Sequence, residues 1–314
     1  MNKTMNKTIV MVGVLDVASS TNVSMAKSFM KFGYTVIPVN YRTIIRNSGF
    51  ATFYKVLVDT VKHYKPILTV FCKCNGIEPD IVLECNKYSK TWLWNMDPIE
   101  TIKRCPEVIQ HAKNANFSSC TGGGVNDYFR RSGVLNGITI FDGLDTDIFK
   151  PTYVLDRYKA DISFIGNETP QRNKFKRILE SAKLDVKFYG MGYNDPVYNE
   201  EFSQVCSASN MMLSLNTYND IPDYFSNRLL RYLGCGTCVL HYDPTDTLYK
   251  YFVHGKDLLF FKDADQLLKL INWYKNTGIS EVGKIALSGR EKVLSNYTWD
   301  NTIHSILSHI NSKE

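Results

Sequence analysis

The sequence predicts an α/β fold made of two doubly wound, Rossmann-like lobes, and three observations predict it. Its 314 residues exceed one ordinary core and divide into two domains of roughly 150 residues each. Short apolar runs alternate with helix-patterned segments, which is how a parallel sheet covered by helices on both faces reads. The alternation restarts after "GLDTDIFKP" with no linker or low-complexity stretch, so the boundary is set near Pro151, giving domains 1–150 and 151–314.

Taken in order, "TIVMVGVL" is a first buried strand, followed by a helix "TNVSMAKSFMKFG" with Thr21 or Asn22 as N-cap and Gly33 at its C-terminal stop. Strand "YTVIPVN", helix "FATFYKVLVDTVKHY" and strand "ILTVFCK" complete a βαβ series. Cys72 and Cys74 both fall in that last strand. "TWLWNM", "ANFSSCT", a helix "VNDYFRRSG" opening after three glycines, and "ITIFDGL" finish the first lobe. The second lobe reads as strand "ADISFIGN", helix "RNKFKRILESAK", strands "DVKFYG" and "MMLSLN", helix "FSNRLLRYLGC", strands "TCVLHYD" and "DLLFF", and helix "ADQLLKLINWYKN". A last amphipathic helix over 298–311 is a candidate to pack back on the first lobe. The opening duplication "MNKTMNKT" is too short for a structural repeat.

Composition excludes several classes. The chain is 44% hydrophobic and 22% charged, and no apolar run approaches the ~20 residues that span a bilayer. Its N-terminus reads as a strand and not as a signal peptide, so a cytoplasmic protein is expected. Eight cysteines without a secretion signal are expected as free thiols. Cys235 and Cys238 have no second Cys/His pair at zinc spacing, and they follow a helix where a redox dithiol would open one. Charge is uneven: residues 1–131 hold 17 Lys+Arg against 9 Asp+Glu, a surplus of 8, whereas residues 132–314 hold 20 against 22. A basic lobe is either a solvated surface or a field for a polyanion.

Ligands of doubly wound sheets bind at the carboxyl ends of the strands, and with two lobes the expected place is the cleft between them. At those ends stand Gly13, "NMDP" (95–98), "TGGG" (121–124), "GN" (166–167) and "YGMG" (189–192). None forms a dinucleotide fingerprint or a P-loop. Over most of residues 161–310, "DISFIGN…R", "YG.G", "SNRLLRYLGCGTCVLHYD", "F.HGKDLLFF.DADQLLKLI" and the later "GRE.VL…TW" resemble the nucleotide-sugar-binding lobe of GT-B glycosyltransferases. The similarity is to the spore-maturation CgeB-like transferases within the retaining group 1 class. "TWLWNMDPIE" and the junction "G.D...FKP" extend it into the first lobe.

The resemblance implies that Gly234-Cys235-Gly236 is a helix stop, with Cys238 in the following strand. It sets Asp223 and Arg231 at the positions of the group's two donor-binding acids. Arg231 departs from that pattern, because a guanidinium cannot accept a bond from ribose: either Arg231 meets a phosphate or another group holds the ribose. Arg228 and Arg172 are the implied diphosphate clamp, their alternatives being a helix-surface arginine and a solvated charge. Gly13, Gly166, Asn167, Tyr189, Gly190 and Asn227 join them as donor-binding candidates. Asp97 is the candidate acceptor-activating carboxylate, matching the Asp of a His-Asp in T-even phage DNA α-glucosyltransferases; it is equally a cap for the helix after Pro98. Lys73, Arg130 and Arg131 are acceptor-binding candidates beside it. Asp145-Thr146-Asp147 reads as a turn, and no metal or cofactor is expected beyond a co-substrate, UDP-linked donor. The implied function is a sugar transfer to a hydroxyl. Acceptor readings are 5-hydroxymethylcytosine in double-stranded phage DNA, or a surface glycan or protein; a silent sugar-nucleotide-binding module is the third reading.

Overall fold

The computed structural model describes residues 7–277 and 279–313, so most of the opening duplication lies outside the described residues. Two compact units emerge, Met1–Phe141 with Thr302–Glu314, and Asp142–Asn301.

In the first unit the chain runs β1 (Thr8–Gly13), α1 (Thr21–Lys31), β2 (Thr35–Asn40), α2 (Tyr41–Tyr64), β3 (Leu68–Cys72), α3 (Asp80–Asn86), β4 (Lys90–Asn95), α4 (Ile99–Arg104), α5 (Glu107–Asn114), β5 (Phe117–Cys120), α6 (Gly123–Arg131) and β6 (Gly137–Thr139). All strands pair in parallel, in the order β2-β1-β3-β4-β5-β6. Every residue of β3, and all of β4 after Lys90, is buried, as continuous apolar runs in a doubly covered sheet require. The order reverses between β1 and β3, and the loops leaving those two strands diverge to open a crevice at their carboxyl ends.

The second unit runs β7 (Ala160–Ile165), α7 (Pro170–Ser181), β8 (Val186–Tyr189), α8 (Asn199–Ala208), β9 (Ser209–Ser214), α9 (Asn227–Gly234), β10 (Cys238–Tyr242), β11 (Leu259–Phe261), α10 (Ala264–Thr277) and α11 (Ile279–Asn296). Its parallel sheet has the order β11-β10-β9-β7-β8, reversing between β7 and β9. Phe164, Phe175, Phe188 and Phe261 fill the core on one face. Each such ring contributes roughly 2–3 kcal/mol by leaving water. The final helix α12 (Trp299–Asn311) begins in the second unit, and from Thr302 its residues group with the first.

Four local readings are corrected. Ser20, not Thr21 or Asn22, caps α1 by accepting from the Asn22 amide; the Asn22 carboxamide instead accepts from Val14 N at 3.0 Å, bracing the turn after β1. The helix expected from Phe50 starts at Tyr41 and is broken at Gly49, whose φ of 79° and ψ of 172° no side-chain-bearing residue holds cheaply. Cys74 is not in the strand: β3 ends at Cys72, and Lys73 and Cys74 are both left-handed, at φ 63° and 60°. Tight winding there replaces strand alternation. Asp97 caps nothing, since α4 starts behind Pro98 without a side-chain cap. Gly234-Cys235-Gly236 does end α9, with Gly236 at φ 73° and its amide bonded to Leu233 O, and all eight cysteines are free.

Candidate functional site

At the reversal point of the second sheet, two arginines share one aromatic ring. Arg172, in the first turn of α7, places its guanidinium 5.0 Å from the centre of Phe164, and Arg228, in the first turn of α9, lies 5.3 Å from it. Both donate to the carbonyl of Leu215, just past the end of β9: Arg228 Nη1 at 2.8 Å and Arg172 Nη2 at 3.4 Å. Arg172 also reaches Asn167 O at 2.6 Å and Thr217 Oγ1 at 3.3 Å. It is 2% exposed, so the solvated-charge alternative fails. Burial, then repulsion from Arg228, lowers its pKa to about 10. Among the described residues neither guanidinium has a carboxylate partner. Two cations held by neutral acceptors leave net positive charge where loops and helix N-termini converge, the arrangement that receives an anion.

The glycines make this approach possible. A methyl carbon at Gly166 (φ 155°) would stand 2.9 Å from Arg228 Nη2, and one at Gly190 (φ 135°) 2.4 Å from Gly166 O. Asn167 contributes its carbonyl to Arg172 and its side-chain oxygen to Met191 N at 3.3 Å. Tyr189 joins through its main chain, accepting from Gly166 N, while its ring packs edge-on against Tyr158 and is 6% exposed; a donor-facing hydroxyl is not what the fold gives.

Asp223, at φ 58°, is tied to Lys250 Nζ at 2.5 Å. Asn227 opens α9 next to Arg228. Arg231 does not stand with the clamp's ring: it stacks 4.5 Å over Phe149, and burial lowers its pKa to about 10 against the opposing pull of Asp142 and Asp145. Asp145 Oδ1 accepts from Asp147 N at 3.1 Å, so Asp145-Thr146-Asp147 is a turn. No cluster of three or more His, Cys, Asp or Glu suited to a metal occurs among the described residues.

At the reversal point of the first sheet a different pair stands. Lys73 Nζ lies 2.5 Å from Asp97 Oδ1, and Asn75 Nδ2 lies 3.5 Å from Oδ2. The left-handed turn at 73–74 aims the lysine back across β4. Beside it opens a polar cavity of about 170 Å³ lined by Ser20, Thr21, Asn22, Tyr41, Arg42 and Lys73. Arg42 and Tyr41 escaped the sequence reading, since they start a helix with no apolar signal. Gly13 closes against Asn22, whose Oδ1 would be 2.7 Å from a methyl carbon there. Arg130 and Arg131 do not join this group. They occupy the last turn of α6, about 12 Å of helix from its start at the carboxyl end of β5, and Arg130 pairs with Asp127 at 3.4 Å.

The family described as "Glycosyl transferase-like" matches residues 171–308, which spans both arginines of the clamp. No curated protein matches the chain. Among solved structures, the sucrose-phosphate synthase of Thermosynechococcus elongatus is similar over 98% of this chain and all of its own, at 13% identity and TM-score 0.66. HepE of Anabaena, in complex with UDP-glucose, is similar over 97% and 99%, at 11% identity and TM-score 0.67. A glycosyltransferase of Rickettsia africae matches over 97% of each chain at 13% identity and TM-score 0.65. The fold is that of these GT-B structures, and residues 171–308 carry the glycosyl transferase-like sequence.

Proposed function

We propose that this protein is a glycosyltransferase that takes a UDP-linked hexose, glucose in the first instance, and transfers it to a hydroxyl group with retention at the anomeric carbon. The observation that carries the donor half is the pair of arginines without carboxylates at the β7/β9 reversal point. As the bond from the sugar to the diphosphate breaks, negative charge grows on the leaving oxygen, and fixed guanidinium donors stabilise it without reorganising. HepE binding UDP-glucose on a similar fold supports the choice of donor.

Asp97 is proposed to accept a hydrogen bond from the attacking hydroxyl, with Lys73 holding the carboxylate in place. The acceptor this reading names is a hydroxymethylated base in duplex DNA, supported by the surplus of 8 positive charges in residues 1–131. Arg130 and Arg131 lend it no support, given where α6 puts them.

Incubation with UDP-glucose and other nucleotide sugars, with plain, hydroxymethylated or no DNA, followed by weighing of the nucleosides, tests both halves. Glucosylated base is the expected product, and DNA affinity should fall with salt at about −0.9 in log–log slope per phosphate contacted. Donor hydrolysis without DNA modification keeps the enzyme and moves the acceptor to a glycan or protein. Donor binding without turnover makes the chain a silent binding module.

A further inference from the structure

The first unit holds a second cavity that the donor and carboxylate sites leave unused. It measures about 260 Å³ and is walled by Phe50, Phe53 and Tyr54 of α2 with Ile77 and Ile81 opposite. Phe53, Ile77 and Ile81 are buried, whereas Phe50 is 53% and Tyr54 44% exposed, an unfavourable state for two neighbouring rings on one helical turn. Glu78 stands at the rim with its carboxylate unpaired among the described residues.

Two chain segments each line both this cavity and the polar one beside Asp97. Helix α2 gives Tyr41 and Arg42 to the polar cavity and, past the break at Gly49, Phe50 and Tyr54 to the apolar one. The loop after β3 gives Lys73 to the first and Ile77 and Glu78 to the second, and Asn75 between them touches Asp97. From Asn75 to Ile77 the chain spans at most about 7 Å. A short stretch of loop therefore links the two cavities in this unit.

We infer that the apolar cavity seats a planar aromatic ring carried by the acceptor whose hydroxyl Asp97 receives. This rests on the function proposed above and specifies its acceptor. Size agrees, because a dry apolar cavity of about 150 Å³ already takes a benzene ring. Chemistry agrees as well: offset and edge-on contacts with Phe50 and Tyr54 favour a flat π-face, and the Glu78 carboxylate accepts from an amino group on the ring's edge. Such a ring comes from one of two sources, a small aryl glycoside or a nucleobase turned out of duplex DNA.

The test uses the full chain. Direct binding of 4-aminophenyl β-glucoside, with methyl β-glucoside as the ring-free control, is read by saturation-transfer NMR without donor. Ala51→Phe fills the cavity from an exposed helix position, and Phe50→Ala/Tyr54→Ala removes two exposed walls; melting curves confirm that all variants fold. We expect the aryl glucoside to bind, the methyl glucoside not to, and both variants to weaken aryl binding about tenfold or more. In turnover, both variants should raise KM for the ring-bearing acceptor with kcat and UDP-glucose hydrolysis little changed. If hydroxymethylated DNA responds to the variants and the aryl glucoside does not, the ring is a base; the reverse response makes it a small arene. Failure of both ring sources to bind, or equal binding by wild type and both variants, overturns the inference. Loss of UDP-glucose binding alone would count against the glycosyltransferase reading and leave the NMR result standing.

Discussion

The two units solve opposite electrostatic problems at the same place in the same topology. Each sheet reverses its order beside its first strand, and each puts charged side chains there. In the second unit the charges are alike, Arg172 and Arg228, kept together by a ring and main-chain oxygens. In the first they are opposite, Lys73 and Asp97, and neutralise one another. On the proposed function, the site that receives a charged group is left unbalanced, whereas the site that holds a carboxylate ready carries its own counter-ion. Burial of Arg172, which would be a liability in a resting protein, is what makes the unbalanced site strong, because low dielectric magnifies the attraction for an incoming anion.

The largest expected effect attacks the unbalanced site. Arg228→Ala should lower kcat by about 10²–10³ and weaken UDP binding, with the fold intact, since the side chain is only partly buried and the Leu215 carbonyl keeps Arg172. Isothermal titration with UDP beside single-turnover kinetics reads both; unchanged turnover would remove the clamp from the mechanism.

Asp97→Asn tests the balanced site. Most transfer activity should go while UDP binding survives. Because the side chain caps no helix, melting should change by no more than about 1 kcal/mol, as for a partly exposed ion pair. A melting loss well above that would make Asp97 a structural residue.

The smallest effect at neutral pH sharpens the comparison by adding a third cation to the second unit. His241 on β10 is fully buried, with Nδ1 2.9 Å from Ser214 Oγ, and its pKa is lowered to about 4, chiefly by burial, against the pull of Asp243 and with some repulsion from Arg228. The unfolded histidine takes a proton near 6.5 and the folded one only near 4. The folded state thus binds fewer protons in between, and stability falls as pH drops from 6.5 to 4, by at most about 3 kcal/mol. Wild-type melting temperature should decline over that window more steeply than that of His241→Gln; parallel curves would show that the ring takes its proton as readily in the folded state as in the unfolded one.

Strand runs were legible because apolar periodicity has one strong local cause, and the helix stop at Gly234-Cys235-Gly236 was legible through the family resemblance. What escaped was decided by main-chain geometry. Nothing in "FCKCN" announces that Lys73 and Cys74 wind left-handed, yet that turn is what brings the lysine onto Asp97. Asn22 reads as a cap by residue type, and its neighbour Ser20 takes the role because the asparagine is needed by Val14. Arg130 and Arg131 look like part of a basic site until the helix direction puts them at the wrong end of α6. Arg172 and Arg228, 56 positions apart, meet through a carbonyl that carries no letter in the sequence.

That carbonyl has a consequence for descent. A side-chain acceptor can be lost by one codon change, whereas the oxygen at position 215 survives every substitution that leaves the end of β9 where it is. Lineages sharing this fold are free to rewrite the residues around the clamp and keep the spacing of its two cations, so kinship among them would be better traced by superposing main-chain atoms at this strand end than by matching letters.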